Sequence, residues 1–455
     1  MVRRKHGQRS VFEVLLLDGD KLWDSALRRI DEILEDDELV DVVADALGRR
    51  RPGSWKKGRP STPAEVVLRM LVLKHLYDWS FDECEREVRG SLVYRAFCRI
   101  DCERVPDAKT LIRLSHLLDG DVLKKVLARL VDLARERKVV RGWKLRVDTT
   151  VVETNVHYPT DSSLLSDGVR VLTRTLKELK EKVGEGLVEV RDRSRALAPR
   201  VFELAQRSRK FVREEAKPRL QQLYGEVLSI TRAVVREAKV AVDSVVGQVT
   251  AVPAALVQRI RQAVEIVTRV IGQTRARIFE GDTHYPSKVL SIFEPHTESI
   301  RKGKAAKPTE FGKLVKIQET EGQLVTDYEV CTTRIADQDL WVPSLKKHLE
   351  LFGRPPRLAV ADAGFASRAN EKTATELGIK QVALPGAWKG MTEKNRKRWF
   401  RRALRWRTGC EGRISALKRR HGLRRCRYKG TAGMGRWVGL GVIANDLWVL
   451  GRAAA

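Results

Sequence analysis

Apolar positions recur at helical spacing through the first 140 residues. The stretch Leu22–Leu47 is amphipathic and rather acidic, and Pro63–Leu76 is apolar, with a proline at a position that the first helical turn tolerates. Ser80–Glu83 has capping-box spacing, and Asp107 stands where an acid caps a further helix. The pattern predicts several short helices joined by tight turns, which we interpret as one helical domain over residues 1–140.

A different pattern begins near residue 144. Leu145–Val152 is rich in β-branched residues and predicts a strand. From residue 164 to 279 the apolar positions return to helical spacing, and about four helices are predicted because three prolines punctuate the stretch: Pro199, Pro218 and Pro253. A helical block that follows a single strand indicates an insertion, which we assign to residues 164–280.

The rest of the chain alternates strands and helices. Two β-rich stretches flank Glu319–Gly322 and predict a hairpin, after which the pattern runs helix, strand, helix, strand. The predicted segments are Phe311–Gln318, Leu324–Cys331, Asp339–Leu351, Arg357–Asp362, Ala369–Leu377 and Gln381–Leu384. The alternation predicts an α/β core with a mixed sheet, divided between residues 141–163 and 281–430. A helical tail is expected over residues 431–455.

Charge and composition narrow the class of partner. The chain of 455 residues has 88 Lys and Arg against 59 Asp and Glu, a formal net charge of +29. Such an excess predicts a polyanionic partner, with nucleic acid as the first candidate. A membrane is disfavoured because no run of about 18 apolar residues exists, and the apolar run Val14–Leu17 is too short for a signal peptide.

The six cysteines form no CxxC pair and no paired metal-ligand spacing. A zinc site that used Cys98 and Cys102 would need distant histidines, so it is the weaker alternative. Unpaired cysteines are typical of reduced thiols, and we therefore expect a cytoplasmic protein.

Two aspartates lie at the ends of predicted strands. Asp148 lies at the end of the first apolar stretch, and Asp362 ends Leu358–Asp362 and precedes Gly364. The carboxyl ends of neighbouring strands are where sites form in open α/β sheets. A carboxylate there is costly to desolvate unless a cation compensates it, and a divalent metal ion would do so.

Glu411 is the only acid between Lys394 and Lys429, a stretch of 36 residues with 16 Lys and Arg. On a helix, Arg407, Glu411 and Lys418 fall on one stripe, because their separations are 4 and 7 residues. The stripe presents an acid for a metal ion beside cations for phosphates. The alternative is that Glu411 is an ion-pair partner that neutralises part of a basic helix.

Three such carboxylates suit phosphodiester cleavage. Two Mg²⁺ ions about 4 Å apart can activate water and stabilise the leaving oxygen. Mg²⁺ prefers hard oxygen ligands, and Mn²⁺ is an expected substitute. The choice of acids is open to alternatives elsewhere in the chain: Glu153, Asp161, Asp167 and Asp282.

The two aspartate motifs resemble those of the DDE transposases of bacterial insertion sequences. In that family the first Asp ends the first strand and precedes small or hydroxyl residues, as in Asp148–Thr150. The second Asp is commonly followed by Gly and an aromatic residue, as in Asp362–Phe365. The interval between the two motifs is long, which fits a helical insertion between the first and second core strands.

The third acid also resembles a signature of this family. One large group carries Tyr-x2-Arg-x3-Glu-x6-Lys on a helix, and Arg407, Glu411 and Lys418 keep that spacing. Leu404 occupies the tyrosine position, so the role of the tyrosine is not carried over. Trp399 and Trp406 are candidates for a substitute stacking surface, with core packing as the alternative.

Further stretches extend the resemblance over most of the chain. Val151–Asp161 and Ser291–Glu298 are similar to transposases of the ISNCY type. Pro106–Leu111 resembles the N-terminal domain of related transposases. The resemblance is weakest in the helical block, for which a plain bundle is the simplest interpretation and dimerisation or DNA clamping the alternative.

The resemblance implies an RNase H-like catalytic core and a helical domain over residues 1–140 for DNA binding or dimerisation. It implies a Mg²⁺-dependent transposase that cleaves transposon ends and transfers strands into target DNA, with Asp148, Asp362 and Glu411 as catalytic and metal-binding residues. The implied partners are double-stranded DNA with terminal inverted repeats, target DNA and a second copy of the chain. The implied location is the bacterial nucleoid.

Basic residues on and near the signature helix are the expected DNA contacts. Arg407 and Lys418 are expected to hold phosphates beside the scissile bond. Other predicted DNA-binding residues are Arg413, Arg419, Arg420, Arg59 and Lys57. Two other functions remain open: a non-catalytic DNA-binding protein derived from a transposase, and a structure-selective nuclease with the same core.

Overall fold

The computed structural model describes most of the chain, namely residues 1–5, 23–50, 53, 55–56, 60–183, 191–207, 217–246, 253–301, 308–386 and 391–453. The chain divides into two compact units. One is formed by residues 1–154 and 302–455, and the other by residues 155–301. Each unit has its own cluster of buried apolar side chains.

The N-terminal part is helical, and short polar side chains begin most of its helices. The helices are α1 Ser25–Ile33, α2 Asp37–Gly48, α3 Ala64–Leu76, α4 Phe81–Gly90, α5 Leu92–Phe97, α6 Ala108–Ser115 and α7 Gly120–Glu136. The predicted capping box is confirmed, since Ser80 and Glu83 bond each other's backbone N–H. Asp107 caps α6 as predicted. The amphipathic stretch Leu22–Leu47 contains two helices rather than one, because Asp36 caps the start of α2 and so separates it from α1.

Strand β1, Lys144–Thr154, leads into the unit of residues 155–301, which is largely helical. Its helices are α8 Asp161–Val183, α9 Ser194–Arg207, α10 Lys217–Val246 and α11 Ala254–Phe279, and a short strand, β2 Glu298–Ile300, lies near its end. Pro218 and Pro253 lie at helix starts, as predicted. Pro199 does not end a helix: it lies inside α9, where the chain forgoes one backbone hydrogen bond.

The sheet of the other unit is mixed, which confirms that part of the expected fold. Its strands are β1, β3 Glu310–Thr320, β4 Val325–Val330, β5 Leu358–Val360, β6 Gln381–Ala383 and β7 Arg425–Cys426. The order is β4–β3–β1–β5–β6, and β7 pairs with β1. β3 is antiparallel to both β1 and β4. β1, β5 and β6 are parallel to one another. Helix α12, Trp341–Phe352, connects β4 to β5, and α13, Arg368–Glu376, is the crossover from β5 to β6.

The C-terminal helices complete this unit: α14 Met391–Arg396, α15 Arg398–Arg420 and α16 Gly430–Arg452. The C-terminal segment is helical, as expected, and α16 is buried along most of its length and packs against α1, α3, α7 and β4. A helix that is apolar all round belongs inside a core. Side chains of the N-terminal helices, the sheet and α16 form one cluster, so the N-terminal helices share a core with the sheet. Among the helices described, none is both long enough and apolar enough to cross a membrane.

Candidate active site

The parallel pairing of β1 with β5 brings two of the predicted acids close to each other. Asp148 does not end its strand, as the sequence predicted it would, but lies inside β1, just past the residues that pair with β5. Arg146 lies opposite Val360 in the register. Asp148 and Asp362 each lie two residues further on, and neighbouring strands are about 4.8 Å apart. Asp148 is 7% exposed, whereas Asp362 is half-buried and begins a short 3₁₀ turn, accepting a 3.0 Å hydrogen bond from the Gly364 N–H.

Helix α15 brings the third acid towards the first through one guanidinium. Arg407 Nη1 lies 3.4 Å from Asp148 Oδ2, and its Nη2 donates a 2.8 Å hydrogen bond to Glu411 Oε1. The Glu411 side chain is 63% exposed. Two carboxylates from distant parts of the chain therefore share Arg407 as a counter-ion. Arg407 was predicted to contact a phosphate, and in the structure it contacts two of the acids.

A buried ion pair fixes α15 against β1. Arg146 donates to both carboxylate oxygens of Glu319, at 2.9 and 2.6 Å, and also to the Trp406 carbonyl at 2.6 Å. The Glu319 side chain is fully buried. Gly409 follows in the same helix, and a Cβ there would collide with the Arg146 guanidinium. Arg146 therefore holds the helical turn that precedes Glu411.

Asp337 is a fourth acid at the site and was missed by the sequence analysis. Its Oδ1 accepts a 3.0 Å hydrogen bond from the Thr149 hydroxyl. A Cβ placed on Gly364 would lie 3.0 Å from Asp337 Oδ2 and 3.2 Å from Asp362 Oδ1. The two carboxylates therefore converge where Gly364 has no side chain. No spacing rule singles out Asp337, because it lies in the irregular segment between β4 and α12, where it begins a short 3₁₀ helix.

The acids have the donor chemistry that a hard cation requires. Within the described ranges, no three or more His, Cys, Asp or Glu side chains are grouped closely enough to hold a metal ion. The acids instead form two pairs: Asp337 with Asp362 around the open space at Gly364, and Asp148 with Glu411 through Arg407. All are oxygen donors, the type that Mg²⁺ and Mn²⁺ take, so this donor set fits a divalent cation.

The remaining predicted DNA contacts have different environments. Arg419 and Arg420 are exposed at the end of α15, and Lys418 Nζ lies 3.9 Å from Glu310 Oε1. Arg413 does not fit the prediction: it is 8% exposed and donates to Asn445 and Gln323, which gives it a structural role. The two other basic residues that were predicted lie outside the described residues: Lys57 and Arg59.

The alternative acids have local partners. Asp161 pairs with Arg277 at 3.0 Å and Asp167 with Arg170 at 2.6 Å, and all four lie in the unit of residues 155–301. Asp282, in the same unit, accepts from the His284 backbone N–H. Glu153 lies 3.6 Å from Arg425 on the neighbouring strand β7.

The cysteine side chains are not placed for thiolate chemistry. Cys410 precedes Glu411, and its burial raises the pKa of the thiol well above the ordinary value. Cys98 is buried, which raises its pKa in the same way, whereas Cys102 is exposed. All six cysteines are free thiols, as the sequence predicted.

Two family models match parts of the chain. A family model described as a transposase domain (DUF772) matches residues 18–117, and one described as a transposase DDE domain matches residues 287–444. The second match includes Asp362, Arg407 and Glu411 and begins after Asp148.

One similar protein is an uncharacterized protein, ORF8 in the nfe locus of Rhizobium meliloti. It is 27% identical over 127 residues, a match that covers 27% of this chain and 61% of the relative. The chain therefore spans less than two thirds of the length of that relative. No solved structure matches the chain.

The first transposase match ends before the helical unit, and the second begins at residue 287, within the last residues of that unit. The DDE domain implies an RNase H-like fold, with which the mixed sheet is consistent. The chain belongs to the DDE transposases of insertion sequences.

Proposed function

We propose that this transposase cleaves DNA at transposon ends and joins those ends to target DNA, with Asp148, Asp362 and Glu411 as its catalytic carboxylates. The observation that carries the proposal is the shared contact of Asp148 and Glu411 with Arg407, beside the strand end that bears Asp362. Acids that are distant in sequence and meet at the carboxyl edge of a parallel strand pair suit an active site.

The chemistry assigned to the site is transfer of a phosphodiester from one oxygen to another. Asp148, Asp362 and Glu411 would hold two divalent cations, Mg²⁺ or Mn²⁺, which when bound supply an activated water and stabilise the leaving oxygen. Attack of water on a phosphate at the transposon end breaks the bond to the 3′ oxygen and releases a 3′ hydroxyl. That hydroxyl then attacks a phosphate of the target DNA and displaces the 3′ oxygen of the target strand.

The surrounding residues orient the acids and neutralise charge. Arg407 keeps Asp148 and Glu411 together and offsets their repulsion. Thr149 donates to Asp337 and so ties the loop after β4 to the strand that carries Asp148. Arg419 and Arg420 are exposed on α15 and are assigned to phosphates of the DNA backbone.

The partners follow from the same proposal. The substrate is double-stranded DNA with terminal inverted repeats, and the target is a second duplex. Pairing two ends requires two active sites, so we propose a homodimer on DNA. The domain boundaries given above, a DNA-binding role for the N-terminal helices and a location at the nucleoid in the cytoplasm belong to this proposal.

The test is cleavage of DNA that contains the ends of the element. Asp148→Asn, Asp362→Asn and Glu411→Gln are expected to bind that DNA as the wild type does and to show no cleavage in Mg²⁺ or Mn²⁺. Glu376→Gln, which removes an acid from the far end of α13, is the matched control and should cleave normally.

Each other result has a definite meaning. Normal cleavage by any one of the three variants would remove that acid from the proposed triad. Binding without cleavage by the wild-type protein would favour the non-catalytic alternative. Cleavage that ignores the terminal sequence and follows DNA structure would favour the nuclease.

A further inference from the structure

A basic cavity lies beside α15 on a side away from the catalytic acids. Its volume is about 750 Å³, and it is bounded by α15, the β3–β4 turn and the end of α16. Gly409 and Ala416 line it and lie about 160° and 140° around the helix axis from Glu411. A cavity of this size has room for a small organic ligand. It is therefore distinct from the face of α15 that carries Arg407, Glu411 and Lys418.

Five arginines and one acid line this cavity, so its charge is strongly positive. Arg146 and Arg413 are buried, and both donate hydrogen bonds to other side chains of the protein. The other three arginines are exposed, and none makes an ion pair or hydrogen bond within the described part of the chain: Arg419, Arg420 and Arg452. Three uncompensated guanidinium groups around one cavity favour an anionic ligand.

Two indole rings add a second kind of recognition. Trp406 and Trp448 both line the cavity and are partly exposed. A guanidinium already lies over each ring, with Arg146 Cζ 4.7 Å from the centre of Trp406 and Arg452 Cζ 5.7 Å from that of Trp448. Arginine beside tryptophan is the combination that holds a phosphate and its base in single-stranded nucleic acid.

Gly412 is independent evidence that the face of α15 that lines the cavity leaves space for a ligand. It lies inside α15, where glycine is destabilising by roughly 0.5–1 kcal/mol relative to alanine. A Cβ at Gly412 would meet no atom within 4 Å. Close packing therefore does not require glycine here, in contrast to Gly409 beside Arg146. An approaching ligand would account for the missing side chain.

We infer that this cavity binds an unpaired nucleotide within a single-stranded segment of DNA. The phosphates lie against Arg419, Arg420 and Arg452, and the base lies against the indoles. Double-stranded DNA does not enter the cavity, because each of its bases is paired and no unpaired base is available to bind there. The inference rests on DNA as the substrate, as proposed above, and is independent of the roles of the three acids.

The test measures binding of a short fluorescently labelled single strand to the full chain by anisotropy, with EDTA present so that no cleavage occurs. Gly412→Leu fills the cavity, and Arg452→Gln removes one guanidinium. Each is expected to raise the Kd for the single strand by about tenfold and to leave the Kd for a duplex of equal length nearly unchanged.

Matched controls lie in the other unit. Gly225 is a helical glycine whose Cβ would also meet nothing within 4 Å, and Arg261 is an exposed helical arginine. Gly225→Leu and Arg261→Gln should bind single strands as the wild type does. Thermal unfolding checks that the variants fold, and if Gly412→Leu does not, Arg452→Gln decides the question.

Two results would overturn the inference. One is unchanged binding of the single strand by the folded cavity variants, or equal weakening of single-strand and duplex binding. The other is a deoxynucleoside monophosphate that displaces the strand as effectively as an unlabelled strand does, which would assign the cavity to a free nucleotide. Loss of cleavage by the acid variants with intact single-strand binding would support the cavity and the active site separately.

Discussion

The ion pair between Arg146 and Glu319 predicts a large and specific loss of stability when only one partner is removed. In Arg146→Met the Glu319 carboxylate stays fully buried and loses both hydrogen bonds from Arg146. Its remaining ion pair is with Arg413 Nε at 3.6 Å. The same substitution removes the bond to the Trp406 carbonyl that holds α15.

The magnitude follows from the charge left behind. Breaking a buried ion pair on one side costs about 3–5 kcal/mol, because the other charge is uncompensated. Residues 1–154 and 302–455 form the unit that contains the pair, which is roughly 300 residues. An unfolding entropy of about 2 cal/mol/K per residue converts that loss to a Tm decrease of about 5–8 °C for this unit.

Calorimetry of the full chain measures this decrease in Tm, since each unit can unfold in a transition of its own. Arg113→Met, an exposed substitution in the same unit, is the control and should unfold within about 0.5 kcal/mol of the wild type. Adding Glu319→Gln to Arg146→Met removes the stranded charge and should restore part of the loss. Arg146→Met within about 1 kcal/mol of the control, or a double variant that loses the sum of the two single effects, would refute the reasoning.

Three further predictions concern single residues. Burial lowers the pKa of Lys74 to about 8, so the folded protein loses this proton first, and raising the pH from 7 to 9 should stabilise the wild type relative to Lys74→Met by about 1 kcal/mol in urea titrations. Burial lowers the pKa of His348 to about 4, so the unfolded chain binds the proton first. Between pH 7 and pH 5 the wild type should therefore lose about 2 kcal/mol more stability than His348→Gln, because the buried His75 and His421 titrate in both proteins. Asp337→Asn should slow DNA cleavage while leaving the Tm near that of the wild type, and Asp339→Asn, an exposed change two residues later, should do neither. A pH dependence of stability that is equal in the wild type and in the substituted protein, or equal cleavage by the two aspartate variants, would contradict the respective claim.

The parts of the fold that depend on local pattern were predictable. β-branched residues predicted β1, and the alternation after residue 310 predicted the mixed sheet. The rule for parallel strands predicted that Asp148 and Asp362 would approach each other. It did not predict that Asp148 lies inside β1, which continues past this residue in its pairing with β3. The spacing of Arg407 and Glu411 also predicted their contact, since residues four apart meet on one helical face.

The parts that depend on contacts distant in sequence were not predictable. The apolar sequence of α16 predicts a C-terminal helix, but it does not show that the helix is buried between the N-terminal helices and the sheet. Asp337 reaches Asp362 because Gly364 leaves room, which no spacing rule encodes. Arg146 reads as a basic residue in a strand, yet its partner Glu319 lies 173 residues away.

Binding of Mn²⁺, followed by electron paramagnetic resonance, tests most directly whether acids from three separate elements form one metal site. The wild-type chain is expected to bind Mn²⁺, and Asp148→Asn, Asp362→Asn and Glu411→Gln should each weaken that binding, because each removes an oxygen ligand of the same site. Glu376→Gln should titrate as the wild type does. A titration curve that is unchanged in any one of the three acid variants would contradict the claim that these carboxylates act together.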